Sequence, residues 1–272
     1  MTIEELLVYG KSKIHKEHAK ILLAELINRN PLELYNILSE VVDEDKAEIY
    51  KKEVDAVQEG KPIQYVIGNV NFCGQRFIIN ENVLIPRFET EELVEYTTKY
   101  AKELFTEPVD IIDLGCGSGV IGLSLENKLS TKSVDLVDIS EEALEVAKIN
   151  RDNLNSKANL IHSDMWKSIT NKYDIVVSNP PYIKTNEEIE DIVKNNEPHL
   201  ALYAGIDGLD CYRKIFESIK PHLKDKFLIG LEIGYTQAID ITNLANNYLD
   251  NIKVIVKKDM SEKDRMIFIM NK

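Results

Sequence analysis

The run Val109-Asp110-Ile111-Ile112-Asp113-Leu114-Gly115-Cys116-Gly117-Ser118-Gly119 joins an apolar, β-branched stretch to glycines at alternate positions, and a helical pattern follows the glycines between 115 and 122. A buried strand that feeds a tight glycine turn and then a helix is the opening unit of a parallel α/β sheet. From about residue 108 the rest of the chain keeps that alternation. A second strand is expected over 134–139, a helix over 141–153, and a third strand over 159–162. A fourth strand follows over 173–177, a helix near 209–223 and a fifth strand over 227–233. Val254-Ile255-Val256 and Met266-Ile267-Phe268-Ile269 are parted by a short polar connection. No crossover helix fits there, so these last two strands should be antiparallel. The expectation is an α/β domain whose seven-stranded, mostly parallel sheet ends in an antiparallel pair.

Working towards the N-terminus, Glu89-Thr90-Glu91-Glu92 opens a helix carrying Leu93, Thr97, Tyr100, Ala101 and Leu104. Tyr65-Val66-Ile67 and Phe77-Ile78-Ile79 read as short strands around Gly74. Residues before them read as helices. Thr2 with Glu5 has capping-box spacing, and Ala19, Leu22, Leu23, Leu26 and Ile27 follow an amphipathic stripe. Ala47, Tyr50, Val54 and Val57 mark another helix, ended by Gly60 and Pro62. The expected organisation is a helical domain over 1–70, a β-hairpin linker over 71–87 and the α/β domain over 88–272. His15 and His18 lie three apart without a third ligand at motif spacing, and read as surface residues rather than a metal site.

The net charge of the 272 residues is −13, with basic residues spread rather than gathered in a stripe. That disfavours a nucleic-acid partner and suits a basic protein. Cys73, Cys116 and Cys211 form no CxxC or Cys/His cluster, so neither a disulfide framework nor a zinc site is indicated. No apolar run approaches the roughly 20 residues that span a bilayer. Met1-Thr2-Ile3-Glu4-Glu5 lacks the basic start of a signal peptide, so a cytoplasmic protein is expected.

Open α/β sheets bind ligands at the carboxyl ends of their strands. Residues 117–122 match G-x-G-x-x-G, a weak dinucleotide signal, but D-x-G-x-G-x-G from Asp113 better suits a nucleoside with a methionine tail. Asp138, ending the second strand, is placed for ribose hydroxyls, with Ser140 the better helix cap. After the third strand, Asp164 is a candidate acceptor for an adenine amino group and Trp166 a candidate cover for its ring. Cys116 reads as a small loop residue rather than a nucleophile. Asn179-Pro180-Pro181-Tyr182 follows the fourth strand. Its Asn oxygen and a proline carbonyl can accept the two N–H groups of a planar nitrogen, and the Tyr ring offers a flat wall.

These residues together resemble the release-factor glutamine N5-methyltransferases. The resemblance covers Pro62–Gly68, Leu84-Ile85-Pro86-Arg87 running into Glu89-Thr90-Glu91, Asp113–Gly119, Val137–Ser140 and Ser178–Ile183. It continues through Glu197-Pro198, Gly205–Leu209, Glu232-Ile233-Gly234, and Lys258-Asp259 with Asp264-Arg265. Departures are Cys116 for a common Thr, Phe88 for a common Pro, and Ser261-Glu262 for Ala-Gly. The resemblance implies a class I, Rossmann-like methyltransferase using S-adenosyl-L-methionine and releasing S-adenosyl-L-homocysteine. Its acceptor would be the glutamine of a Gly-Gly-Gln motif in class 1 peptide chain release factors. Gly115, Cys116, Gly117, Ser118, Gly119, Asp138, Trp166 and Asn179 would contact the cofactor. Asn179, Pro180, Pro181 and Tyr182 would hold the glutamine, with Asn179, Pro180 and Tyr182 carrying the chemistry by placement. The helical domain would dock the release factor, and a monomer is expected. Rival readings are a ribosomal-protein glutamine methyltransferase, a nucleic-acid amino-methyltransferase, and a non-catalytic nucleotide-binding module.

Overall fold

In the computed structural model, which describes residues 1–272, the first helix begins on the Thr2–Glu5 capping box. The Thr2 hydroxyl accepts the Glu5 N–H at 3.2 Å while the Glu5 carboxylate accepts the Thr2 N–H at 2.9 Å, satisfying two orphaned donors reciprocally. This opens α1 (Ile3–Lys11), followed by α2 (Lys16–Leu26), α3 (Glu44–Gln58) and α4 (Ile63–Ile67). Their apolar stripes meet in one cluster that buries Leu6, Leu22, Leu23, Tyr50 and Val54. His15 caps α2, its Nδ1 accepting the Glu17 N–H at 3.4 Å. These helices and a short helix at Asp191–Asn196 form one compact unit, Met1–Asn69 with Glu190–Asn196; Val70–Ile189 with Glu197–Lys272 form the other.

Tyr65-Val66-Ile67, expected as a strand, is helical and lies within α4. The β-branched composition that suggested a strand is a weak preference. Here it is outweighed by punctuation: Pro62 stands at the N-cap, and Gly68, at φ 78°, closes the turn by donating to the Gln64 carbonyl at 2.8 Å. The hairpin strands are β1 (Asn69–Phe72) and β2 (Gln75–Ile78). Cys73 and Gly74 between them have φ of 49° and 77°, the two-residue turn whose twist suits a hairpin.

The second unit holds α5 (Phe88–Leu104), β3 (Val109–Leu114), α6 (Val120–Lys128), β4 (Thr131–Asp138), α7 (Glu141–Asn153), β5 (Asn159–His162) and β6 (Tyr173–Ser178). Beyond the short helix α8 (Asp191–Asn196) come α9 (Asp210–Ile219), β7 (Leu223–Glu232), α10 (Ala238–Tyr248), β8 (Ile252–Lys258) and β9 (Asp264–Asn271). The seven-stranded sheet has the order β5-β4-β3-β6-β7-β9-β8. Every pairing is parallel except those of β9, which runs antiparallel to β7 and β8, as the short polar connection requires.

Side chains alternate across a strand. Ile111, Ile175, Val177, Leu228 and Phe268 enter one cluster with Leu93 and Val94 of α5 and Leu123 of α6. Ile112, Leu114, Val176, Ile229, Leu231 and Ile267 enter the other, with Tyr212 and Phe216 of α9 and Ile241 of α10. Carried to the strand ends, the same parity sends Asp113, Asn179 and Glu232 to the α5–α6 face. The chain reverses its direction of travel across the sheet between β3 and β6, which puts the switch-point crevice at their carboxyl ends. No helix is long and apolar enough to cross a membrane.

Candidate active site

The glycine turn after β3 is held by its own backbone. Gly115 and Cys116 both donate N–H to the Val137 carbonyl, at 2.8 and 2.9 Å, and Gly119 donates to the Cys116 carbonyl at 2.8 Å. Gly115, Gly117 and Gly119 have φ of 69°, 54° and 80°, a sequence of left-handed residues that favours glycine. Asp138 ties this turn to the end of β4. One carboxylate oxygen accepts the Gly117 N–H at 2.8 Å and the other the Ser140 N–H at 2.9 Å. Burial pushes the Asp138 carboxyl up, and these N–H donors oppose the rise. Each oxygen keeps a lone pair for a further donor. Ser140 caps α7 by accepting the Ala143 N–H at 3.1 Å.

A cavity opens above this turn. Gly115, Cys116, Gly117, Ser118, Asp138 and Asn179 line it, with Thr90, Asp164, Met165 and Pro181. Its apolar walls include Val83, Leu84, Pro86, Val120, Ile121 and Ile139. Apolar walls beside a carboxylate with spare lone pairs and a backbone glycine cradle suit a nucleoside with a charged tail. Cys116 is 5 % exposed, and burial pushes its thiol well up, consistent with a small loop residue. Asp113 is fully buried beneath the turn; one oxygen accepts the Gly122 N–H at 2.9 Å, and burial pushes the carboxyl up to about 7.

Trp166 does not cover this cavity, contrary to the expectation. It is 5 % exposed, its Nε1 donates to the Ile215 carbonyl at 2.9 Å, and its ring stacks on His222 with centroids 4.7 Å apart. Met165, at φ 52°, carries the turn and supplies the wall instead. Asp164 lines the cavity but is engaged by Lys167 at 2.7 Å and Lys214 at 3.0 Å, and these lysines hold its carboxyl below the usual range.

Asn179 stands one residue past β6. Its Nδ2 donates to the Thr90 hydroxyl at 3.2 Å, and that hydroxyl donates to Glu232 Oε2 at 2.7 Å. Pro180 is buried and, unlike Asn179 and Pro181, does not line the cavity. Nor does Tyr182: its ring packs against the α9–α10 cluster and its hydroxyl lies 3.4 Å from Glu232 Oε1. Gln237 Nε2 donates to the carbonyls of Tyr182 and Gly208, both at 3.1 Å. Thr90 and Glu232 are thus part of the site although neither was singled out as a site residue. The available signal was a lone acid closing the apolar run 227–233.

Other motif residues brace the rim. Glu197 pairs with Arg87 and accepts the Ile85 N–H at 3.0 Å, while Arg87 donates to the Ile85 carbonyl at 3.0 Å. Arg265 bonds Asp259 at 3.1 Å and reaches the Ile233 carbonyl at 3.4 Å.

Residues 90–201 match the family model described as "Methyltransferase small domain", and residues 6–68 match "PrmC N-terminal domain". The release factor glutamine methyltransferase of Streptococcus pneumoniae is 40 % identical over 238 residues, covering 87 % of this chain and 84 % of that one. The enzyme of the same name from Bacillus subtilis is 38 % identical over 237 residues, covering 85 % and 82 %. Among solved structures, a T. thermophilus 16S rRNA methyltransferase in complex with AdoMet and guanosine superimposes with a TM-score of 0.53. It is 16 % identical and covers 75 % of this chain and 50 % of that one, a likeness of fold. Identity at the level of the two bacterial relatives, over more than four-fifths of each chain, places the protein by descent: it belongs to the release factor glutamine methyltransferase family.

Proposed function

We propose that this chain transfers a methyl group from S-adenosylmethionine to the side-chain amide nitrogen of the glutamine in the Gly-Gly-Gln motif of class 1 peptide chain release factors. The observation that carries the reading is one shared cavity: the glycine turn after β3 and Asn179 after β6 line it together. Gly115–Gly119 and Asp138 would hold the cofactor, with Ile139 and Met165 flanking its base. When bound, that cofactor supplies an electrophilic methyl carbon on a sulfonium. The chain's own residues then have a task of placement. An amide nitrogen is a poor nucleophile because its lone pair is delocalised into the carbonyl. Asn179 Oδ1, on the cavity wall, would accept one of its N–H groups and a backbone carbonyl of the Pro180–Pro181 pair the other, drawing electron density toward nitrogen. Orientation of this kind contributes about 7–11 kcal/mol in favourable cases.

The cavity edge at Pro86, Pro198 and Leu200 is apolar and would exclude water from the reacting atoms. The helical unit carries no chemistry of its own and would dock the acidic chain to a basic factor. The protein would act as a monomer in the cytoplasm. The test is incubation with labelled S-adenosylmethionine and purified release factors, ribosomal proteins or DNA, followed by mass mapping. Label on the Gly-Gly-Gln glutamine is expected; label only on a ribosomal-protein glutamine or a base overturns the proposal. Asn179→Ala should lose most turnover while retaining cofactor affinity by calorimetry.

A further inference from the structure

We propose that Thr90 and Glu232 are positioning residues that fix which end of the Asn179 carboxamide faces the acceptor. The inference rests on the acceptor being an amide nitrogen, as argued above.

A carboxamide has two nearly isosteric ends, one accepting and one donating, and rotation about its last torsion exchanges them. With the oxygen outward, Asn179 accepts an N–H; with the nitrogen outward, it repels one. The local network selects between these. The Thr90 hydroxyl has one proton, and its Oγ1 lies 2.7 Å from Glu232 Oε2. A carboxylate only accepts, so that proton goes to Glu232. The lone pairs left on Thr90 Oγ1 then face Asn179 at 3.2 Å and can only receive N–H. A flipped Asn179 would set two oxygens against each other with no proton between them. The carboxylate therefore sets the polarity of the chain, and the Asn179 oxygen is left for the cavity.

The fold assembles the three residues from separate elements. Thr90 is in the first turn of α5, Glu232 ends β7 and Asn179 follows β6, all on one face of the sheet. Thr90 is 2 % exposed and Glu232 1 %, so water does not compete for these bonds. The second Glu232 oxygen faces the Tyr182 hydroxyl at 3.4 Å, and one carboxylate thus reaches both ends of the Asn179–Tyr182 segment. The charged and titratable groups around it are Arg265 on β9, Glu89 on α5 and Tyr182; the Tyr212 hydroxyl on α9 is bonded at 2.7 Å to the Glu232 backbone carbonyl. Burial pushes the Glu232 carboxyl up to about 7, with Thr90 and Arg265 opposing the rise. Once protonated, Glu232 can donate to Thr90, whose own proton is then free to turn toward Asn179. The orientation is accordingly secured above that pH and loosened below it.

The experiment follows the Asn179 side-chain ¹⁵N–H₂ resonances of the full-length protein from about pH 5.5 to 8.5, alongside single-turnover methyl transfer from S-adenosylmethionine to a purified release factor. The Asn179 pair is expected to titrate with the Glu232 carboxyl in the wild type and to stay flat in Glu232→Gln. Thr90→Val should lower the transfer rate about 10- to 100-fold with cofactor Kd and acceptor KM changed less than about twofold, and Thr90→Ser should restore at least about a third of it. A flat Asn179 pair in the wild type, or Thr90→Val transferring within about twofold of wild type, overturns the inference. If the wild type leaves release factors unmethylated while its Asn179 pair titrates with Glu232, the positioning network stands and the acceptor reading falls.

Discussion

Asp138 joins a structural task to a place on the cavity wall. Its two oxygens already hold the Gly117 and Ser140 N–H groups, so the carboxylate fixes the glycine turn while its spare lone pairs face the cavity. Asp138→Ala removes both functions. A hydrogen bond to a charged group is worth about 1.5–3 kcal/mol, so cofactor affinity measured by calorimetry should fall about 10-fold or more. An unchanged affinity would remove Asp138 from the cofactor site. The place of Asp138 on the cavity wall was readable because an acid that ends a parallel strand beside a glycine loop lies at the carboxyl edge of the sheet. Trp166 was not readable in the same way. Its burial depends on the Ile215 carbonyl that α9 delivers 49 positions later, and local spacing carries no record of that partner.

At the scale of elements, the Asn179–Tyr182 segment is held by a neighbouring turn. Ile183 donates to the Leu202 carbonyl at 3.0 Å, Ala204 to the Ile183 carbonyl at 2.9 Å, and Thr185 to the Gly205 carbonyl at 2.9 Å. Gly208, at φ 75°, approaches so closely that a Cβ there would lie 2.4 Å from the Tyr182 carbonyl oxygen. That oxygen is backbone and cannot swing away. Gly208→Ala should therefore push the segment off its position, costing about 1–3 kcal/mol of stability and lowering transfer rate more than cofactor affinity. Denaturation and single-turnover kinetics together would check this, and wild-type values in both would refute the bracing role. Element types in the sheet were legible because apolar runs and crossover lengths leave few choices. The α4 segment was not: five residues between Pro62 and Gly68 can be strand or helix by composition, and the choice is made by those two end residues together with the packing of Ile63, Val66 and Ile67 against the helical cluster.

Across the whole molecule, the parity of side chains was legible, but the meeting of three strand ends with α5 was not, since it depends on strand order. That meeting buries two acids, Asp113 and Glu232, on the same face, and gives the molecule a distinctive pH dependence. Burial raises both carboxyls to about 7 from their ordinary 3.8 and 4.5. Between those limits the folded chain binds protons that the unfolded chain has released. Stability contributed by these groups is therefore complete below the unfolded values and declines as pH rises through about 7. Asp110, Asp164 and Asp259 have the opposite sign: Lys224 and Ser133 for the first, Lys167 and Lys214 for the second, and backbone N–H groups with Arg265 for the third hold them low. They contribute stability above the unfolded carboxylate range that is lost on acidification. The two sets together predict maximal stability on the mildly acidic side of neutrality. Glu232→Gln separates them, since it removes a group that is costly only when ionised. Chemical denaturation should show the variant gaining about 2–3 kcal/mol over wild type at pH 8 and gaining nothing at about pH 4.5, where Glu232 is protonated in the folded protein. An equal effect at both pH values would mean that the substitution acts through packing rather than through ionisation.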